Sequence, residues 1–318
     1  MRPEGATRRE TSLVGGGSIA TVLLEVILSM RPRQWTKNLI IFLPLPFTIN
    51  QYWRLSEVPT AIRMTLESLA AFAVFCLLSG AVYLINDLAD MEKDRQHPFK
   101  RHRPLASGRL GRVPAMVAVS LLFVVSLSGA FLLNWVFGIV ALAYFAIMLS
   151  YSYQLKHVVL VDVLTIAVGF VLRAVAGAVA IEVPISPWLY VCTILGAVFL
   201  GLGKRRHELL LLEGGAGRHR QILEEYSAQL LEQMIVLAGA ATLMAYSLYT
   251  FSAENVPKNY AMMLTIPFVL YGIFRYLYLI HIKNEGGSPE EMLLGDRPMV
   301  LNVGLWLVSS GTILLFFR

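Results

Sequence analysis

The sequence consists of long apolar runs separated by short polar loops. Runs of about 18–25 residues recur along the chain, and an α-helix of this length crosses the hydrocarbon core of a bilayer. Hydrophobic residues make up 56% of the chain, charged residues make up 15%, and the mean hydropathy is +0.62. An ordinary soluble globular protein is less apolar. The pattern therefore predicts an all-α, polytopic membrane protein.

About nine transmembrane helices are predicted, at residues 38–54, 65–88, 114–133, 135–153, 158–182, 186–203, 229–252, 259–281 and 298–317. Pro44 and Pro46 are expected to bend or shorten the first of them. Residues 1–17 are polar, basic and rich in glycine, and are expected to be disordered. Residues 18–318 are expected to form a single transmembrane domain. Within it, residues 18–37 are predicted to be an amphipathic helix at the membrane interface and a basic turn.

Lysine and arginine residues are concentrated in every second loop, for example in residues 31–37, 91–113 and 204–220. By the positive-inside rule, the N-terminus and these charged loops are predicted to lie in the cytoplasm. The net charge of +6 follows from this topology and does not indicate a nucleic-acid partner. Cys76 and Cys192 lie inside apolar runs, so a disulfide framework is not expected.

The most informative motif lies where the second predicted span meets its basic loop. Asp87, Asp90 and Asp94 are spaced three and four residues apart, so a helix places them on one face. Carboxylates this close repel one another unless a cation binds between them, and oxygen ligands suit Mg²⁺. The following loop offers Lys100 and Arg103 to phosphate oxygens. These residues predict a diphosphate site, although a helix end whose acids simply pair with a basic loop would contain them too.

A second group of polar residues lies around the start of the fifth predicted span. Tyr151 and Lys156 precede Asp162, and Arg173 follows eleven residues later on nearly the same helix face. Charged residues in apolar helices rarely face lipid. The group is expected to line a polar cavity, and separate structural ion pairs are the alternative.

A third group, Lys204, Arg205 and Glu208, lies at the basic end of the sixth predicted span. Adjacent cations beside a carboxylate suit a clamp on a phosphorylated ligand. Membrane topology alone would also place positive residues there. The sequence contains no Gly-rich phosphate loop, no zinc-type histidine spacing and no serine-hydrolase motif.

Asn86 and the three aspartates form the pattern Asn-Asp-x-x-Asp-x-x-x-Asp, which resembles the acidic motif of the UbiA superfamily of intramembrane prenyltransferases. The chain is most similar to one branch, the decaprenyl-phosphate phosphoribosyltransferases, from about residue 31 to its end. The matching stretches are RPRQWTKN (31–38), YLINDLADMEKDRQHPFKRHRPLASG (83–108), YSYQLKH, Asp162 and GFVLRAVAG (within 151–177), GKRRHE (203–208) and SPEEMLLGDRPM (288–299).

The resemblance implies a UbiA-like bundle with active-site loops on the cytoplasmic side, and a role for each polar residue. Asp87, Asp90 and Asp94 would bind Mg²⁺. Asp87 and Asp162 would be catalytic, the latter by stabilising positive charge on the reacting sugar. The implied substrate-binding residues are Lys37, Asn86, Lys100, Arg103, Tyr151, Lys156, Arg173, Lys204, Arg205 and Glu208.

The implied reaction is Mg²⁺-dependent transfer of 5-phosphoribose from phosphoribosyl pyrophosphate to a polyprenyl phosphate. Its products would be polyprenylphosphoryl-5-phosphoribose and pyrophosphate. The resemblance also implies a bacterial inner (plasma) membrane and a role in cell-envelope glycan synthesis. A homo-oligomer is compatible with the sequence, which does not specify a number of copies.

One departure from the wider superfamily bears on the donor. Members that use prenyl diphosphates usually carry a second acidic motif, Asp-x-x-x-Asp, whereas here Asp162 is followed by Ile166. This favours phosphoribosyl pyrophosphate as the donor. Two alternatives remain: a UbiA-type enzyme that moves a prenyl group from its diphosphate to an aromatic or glycerol-phosphate acceptor, and a lipid transporter or flippase. Charges gathered on one side of the bilayer argue against transport.

Overall fold

The computed structural model of the chain describes residues 18–98, 100–213, 223, 225–283 and 286–318, and it contains helices but no β-strand within these ranges. The predicted N-terminal tail, residues 1–17, lies outside the described residues. The α-helices are α1 (Ile19–Ser29), α2 (Pro44–Phe47), α3 (Val58–Ala89), α4 (Met91–Gln96), α5 (Arg112–Leu133), α6 (Trp135–Tyr153), α7 (Val161–Ala180), α8 (Pro187–Glu213), α9 (Ala228–Ser252), α10 (Ile266–Ile282), α11 (Pro289–Gly295) and α12 (Arg297–Phe316).

Eight helical segments of the described chain are long and apolar enough to cross a membrane. Seven of them are α3, α5, α6, α7, α8, α9 and α12, and the eighth is Ala261–Ile282, in which a 3-10 helix (Ala261–Thr265) continues into α10. They correspond to the last eight predicted spans, and α3 and α8 extend furthest beyond the predicted bounds. Lipid offers no hydrogen bonds to the backbone, so each apolar run satisfies its own peptide groups by forming a helix. The predicted all-α membrane fold is confirmed.

The first predicted span, residues 38–54, differs from the other eight. Residues Pro32–Phe42 form a 3-10 helix, and α2 follows after a short turn. Pro44 and Pro46 lack backbone N–H groups and cannot continue the hydrogen-bond ladder. A 3-10 helix rises by about 2.0 Å per residue, so its eleven residues extend about 22 Å. The same eleven residues would extend about 16 Å as an α-helix, so the 3-10 form lengthens the segment.

The contacts at the two ends of this segment show that it connects opposite ends of the bundle. Arg31 pairs with Asp87 at the end of α3. Asn50 Nδ2 donates to the carbonyl oxygens of Leu314 and Leu315, at the end of α12, over 3.3 and 2.8 Å. We call the end that contains Asp87 the charged end.

Consecutive spanning helices pack side by side, from α3 through α5, α6, α7, α8 and α9 to α10, and α12 packs on α10. The 3-10 helix lies against α3 and α7, and α2 reaches α12, which closes the bundle. The close approach at α7 depends on Gly177, because a Cβ there would lie 2.0 Å from the carbonyl oxygen of Ile41.

Helix α1 packs on α3 and α5, and its polar residues lie on its inner face. Glu25 and Ser29 are buried, and Glu25 Oε1 accepts a hydrogen bond from Arg109 Nη1 over 3.1 Å. The buried face of α1 is therefore its polar face, and Arg109 neutralises the Glu25 carboxylate there. The exposed apolar side chains on the outer face are Ile19, Leu23, Leu24, Ile27 and Leu28.

Replacing Gly177 by alanine is expected to lower the free energy of unfolding by about 1–3 kcal/mol, because the added methyl group forces the 3-10 helix away from α7. Thermal unfolding of the purified protein in detergent measures the loss. Gly311→Ala is the control, since a Cβ at that position of α12 meets nothing within 4 Å. Its melting temperature should be unchanged or slightly raised, because alanine is the better helix former. Equal melting temperatures for the two variants would contradict the close approach.

Candidate active site

The acidic cluster forms where α3 passes into α4. The Asp90 backbone N–H bonds to the carbonyl of Asn86 over 2.9 Å, and that of Asp94 bonds to the carbonyl of Asp90 over 2.8 Å. The chain thus keeps a nearly helical course between the two helices, as the three-and-four spacing predicted. Asp87 and Asp94 are almost fully buried, at 2% and 3% exposure.

Three cations from separate parts of the chain neutralise this cluster. Arg103 Nη1 donates to Asp87 Oδ1 over 3.0 Å and to Asp94 Oδ2 over 2.6 Å. Lys156 Nζ contacts both oxygens of Asp90 at 2.9 Å. Arg31 also pairs with Asp87, and its guanidinium lies over the ring of Tyr83. The predicted carboxylates and basic residues are therefore brought together at the charged end.

The aspartates supply the oxygen ligands that Mg²⁺ prefers. Asp87 and Asp94 contact the same nitrogen of Arg103, which brings their carboxylates to the same side of the cluster. Asp90 turns instead to Lys156. For this reason, no group of three or more potential metal ligands has already converged in the part of the chain that is described. The donor set fits Mg²⁺, and the three-aspartate ligand set stays a prediction.

Asp162 belongs to a second, deeper cluster. Its Oδ2 accepts from Arg205 Nε over 2.5 Å, and its Oδ1 accepts from the Tyr226 hydroxyl over 3.2 Å. Arg205 also donates to Glu208 over 2.5 Å and to the Tyr151 hydroxyl over 3.3 Å. Asp162 is 0% exposed. It presents no surface of its own to a ligand in this arrangement, and its predicted contact with the sugar stays a prediction. Its contacts instead hold Arg205 in place.

Arg173 lies in a third cluster, apart from Asp162. It donates from Nε to Asn38 Oδ1 over 2.7 Å, from Nη2 to the Tyr144 hydroxyl over 2.6 Å, and from Nη1 to the Gly169 carbonyl over 3.0 Å. These contacts tie the 3-10 helix and α6 to α7. Asp162 and Arg173 thus bind partners on different neighbouring elements, and the expected polar cavity lined by both stays a prediction.

Lys37 and Lys204 meet α11 rather than the aspartates. Lys37 Nζ lies 3.2 Å from Glu290 Oε1, and both lysines line a cavity of about 260 Å³ between the 3-10 helix, α7, α8 and α11. Burial alone would raise the pKa of the Glu290 carboxyl, but the ammonium groups of Lys37 and Lys204 and a backbone N–H together lower it. Glu290 is therefore ionised at neutral pH.

Two further predicted residues lie beside the acidic cluster. Asn86 provides the backbone carbonyl described above, and the backbone N–H of Lys100 donates to His97 Nδ1 over 3.3 Å. Sequence reasoning did not assign Arg31 or Tyr226 to the site. Arg31 has left-handed backbone angles (φ 54°) immediately before Pro32, and a residue before proline is biased away from the right-handed helix. The Arg-Pro pair could have indicated a turn at Arg31, whereas no feature of the sequence indicated that Tyr226 belongs to the site.

Comparison with known proteins identifies the family. Residues 57–294 match the model of the UbiA prenyltransferase family. The chain belongs to this family. It is 32% identical over 297 residues to a decaprenyl-phosphate phosphoribosyltransferase of Mycobacterium tuberculosis, covering 93% of this chain and 96% of the relative. It is 33% identical over 300 residues to the protein of the same name from Mycolicibacterium smegmatis, covering 92% of each.

The fold of this UbiA-family chain also has solved counterparts. A UbiA homologue from Archaeoglobus fulgidus, bound to GPP and Mg²⁺, superposes with a TM-score of 0.68 at 17% identity. The superposition covers 91% of this chain and 99% of that chain. At this identity the likeness shows the fold alone, and it confirms the UbiA-like bundle expected from the sequence.

Replacing Asp162 by asparagine is expected to lower the free energy of unfolding of the UbiA-family chain by about 1–3 kcal/mol, because buried Arg205 would lose one of its two carboxylate partners and keep only Glu208. Chemical or thermal unfolding in detergent measures this change. Arg63→Gln removes an exposed pair with Glu67 and should cost no more than about 1 kcal/mol. A D162N protein as stable as the wild type would mean that this pair does not hold α7 to α8.

Proposed function

We propose that this protein is a Mg²⁺-dependent transferase that moves 5-phosphoribose from phosphoribosyl pyrophosphate to a polyprenyl phosphate. Similarity over more than nine-tenths of the chain to proteins named decaprenyl-phosphate phosphoribosyltransferase supports the reaction. The observation that carries the proposal is the acidic cluster itself. Asp87, Asp90 and Asp94 lie at one end of a membrane bundle, together with Arg31, Arg103 and Lys156. The described chain contains no soluble domain beside this bundle.

The donor diphosphate would bind at this cluster. Bound Mg²⁺ would neutralise the aspartates and stabilise negative charge on the diphosphate. Arg31, Arg103 and Lys156 would then turn from the aspartates to the phosphate oxygens, where guanidinium groups can bind in a bidentate manner. There they would stabilise the charge that builds on the leaving pyrophosphate.

The acceptor is itself an anionic nucleophile at neutral pH, so no general base is required. One phosphate oxygen of the lipid forms a bond to ribose C1 while the bond from C1 to the pyrophosphate oxygen breaks, and the electron pair leaves with pyrophosphate. Asp162 would act through Arg205, whose position it fixes. Asp87 would serve the donor site directly, as a metal ligand.

The two substrates differ in solubility, which explains why the reaction needs a membrane protein. Phosphoribosyl pyrophosphate is soluble in water and would reach the charged end from the cytoplasm, the side that the positive-inside rule assigns to it. The polyprenyl tail would stay in the apolar phase. A bacterial inner membrane is the location that the named relatives suggest.

Asp87→Asn, Asp90→Asn and Asp94→Asn are each expected to reduce turnover about a hundredfold or more, because each removes negative charge from the metal-binding face. Transfer of radiolabel from phosphoribosyl pyrophosphate to the lipid phase measures turnover, with Mg²⁺ and with EDTA. Glu92→Gln is the control, since the Glu92 side chain lies on α4 but points to exposed Arg95 and Arg112. It should retain nearly full activity.

The same assay distinguishes the alternative chemistry. Wild-type protein that fails to label lipid from phosphoribosyl pyrophosphate, yet prenylates an aromatic or glycerol-phosphate acceptor from a prenyl diphosphate, would overturn the proposal. Label transfer that persists in EDTA would show that the reaction does not require Mg²⁺.

A further inference from the structure

The proposed reaction joins two phosphorylated substrates, and the charged end contains two separate cationic groups. The first comprises Arg31, Arg103 and Lys156 on the acidic cluster. The second comprises Lys37, Lys204 and Arg205, which line one cavity. The carboxylate that pairs with Lys37 belongs to Glu290 of α11 rather than to the acidic cluster. The structure therefore offers two anion sites, only one of which carries candidate metal ligands.

The cavity at Lys37 and Lys204 differs in character from the acidic cluster. Its remaining walls are mostly apolar, with Ile166 and Phe170 of α7, Leu200 of α8 and Leu293 of α11 among them. Such a lining suits a ligand with one anionic group and a hydrocarbon chain, because the chain gains free energy from leaving water. A sugar diphosphate has no apolar part to match these walls.

The rim of the cavity leads towards lipid. Leu39 of the 3-10 helix and Leu294 of α11 both line it, and they are 50% and 59% exposed. Neither side chain has a protein partner covering its outer surface, and both sit where an apolar chain could pass from the cavity to the bilayer. A lipid bound by its head group would thus not need to enter the interior of the bundle.

We propose that this cavity binds the phosphate and the first isoprene units of the lipid acceptor. Lys37 and Lys204 contact the phosphate, Ile166 and the leucines contact the chain, and Leu39 and Leu294 lead the tail into the bilayer. Glu290 pairs with Lys37 while the cavity is empty and is exchanged for the phosphate on binding. This inference rests on the proposed function and assigns its two substrates to different sites.

The 3-10 helix sets the distance between these sites. Arg31 immediately precedes the helix and serves the donor site, and Lys37 lies six residues later and serves the acceptor site. At about 2.0 Å per residue, the two backbone positions are about 12 Å apart along the helix axis. Two long cationic side chains can bridge much of that distance, which places the acceptor phosphate beside the sugar of the donor.

The test uses steady-state kinetics of the full chain with both substrates varied. Leu293→Asp places a carboxylate in the wall of the cavity that holds Lys37 and Lys204. A like charge near the acceptor phosphate costs at least about tenfold in affinity when it is poorly solvated. The KM for farnesyl phosphate or decaprenyl phosphate should rise about tenfold or more, and the KM for phosphoribosyl pyrophosphate should stay within about twofold. Leu293→Asn has nearly the same shape without the charge, so its acceptor KM should change much less.

A second pair of variants keeps the inference testable if position 293 does not tolerate a polar residue. Leu294→Glu puts a charge on the rim and should raise the acceptor KM alone. Ile282→Glu is the control, because Ile282 is 65% exposed at the end of α10 and does not line the cavity.

The outcomes separate this inference from the proposed function. A rise in the donor KM with an unchanged acceptor KM would assign the cavity to the donor and overturn the inference. Equal acceptor kinetics for L294E and I282E, or for L293D and L293N where both fold, would also overturn it. Absence of transfer in the wild type would instead refute the proposed function.

Discussion

The structure depends on buried ion pairs at the charged end of the bundle, where an unpaired charge would cost a large amount of free energy. Asp87 and Asp162 are buried at the charged end of a membrane bundle, and each is held by an arginine that comes from another element. An isolated buried carboxylate would have to be neutralised or expelled. Apolar helices can slide or rotate against one another in lipid with little preference, so polar pairs of this kind fix their registration. The same contacts that order the helices also build the site.

Much of the architecture could be predicted because a membrane makes helix length depend on apolar run length. The prediction for α6, residues 135–153, matches both of its bounds. The segment at residues 38–54 shows the limit of that reasoning. Its apolar length predicted a span, but the prolines and the 3-10 geometry determine how it crosses, and hydropathy does not report either effect.

For the site, the spacing of residues along the chain predicted which side chains share a helix face, but it did not predict which side chains they pair with. The aspartates share a face because three and four residues make one helical turn. Their partners lie up to 66 residues away in sequence, so no pattern identified Lys156 as the partner of Asp90. Arg173 and Asp162 do share a helix face, but eleven residues separate them by about 16 Å along the axis. Asn38 is therefore closer to Arg173, and Arg205 is closer to Asp162, than Arg173 and Asp162 are to each other.

Helix α1 gives the bilayer a structural role at the charged end. Its inner face holds Arg109 through Glu25, in the same loop that supplies Arg103 to the aspartates. On its outer face, the described chain leaves Leu23, Leu24 and Ile27 exposed. An amphiphile that covers these side chains would help to hold the helix that holds Arg109, so the choice of detergent or nanodisc becomes a chemical variable of the enzyme in its own right.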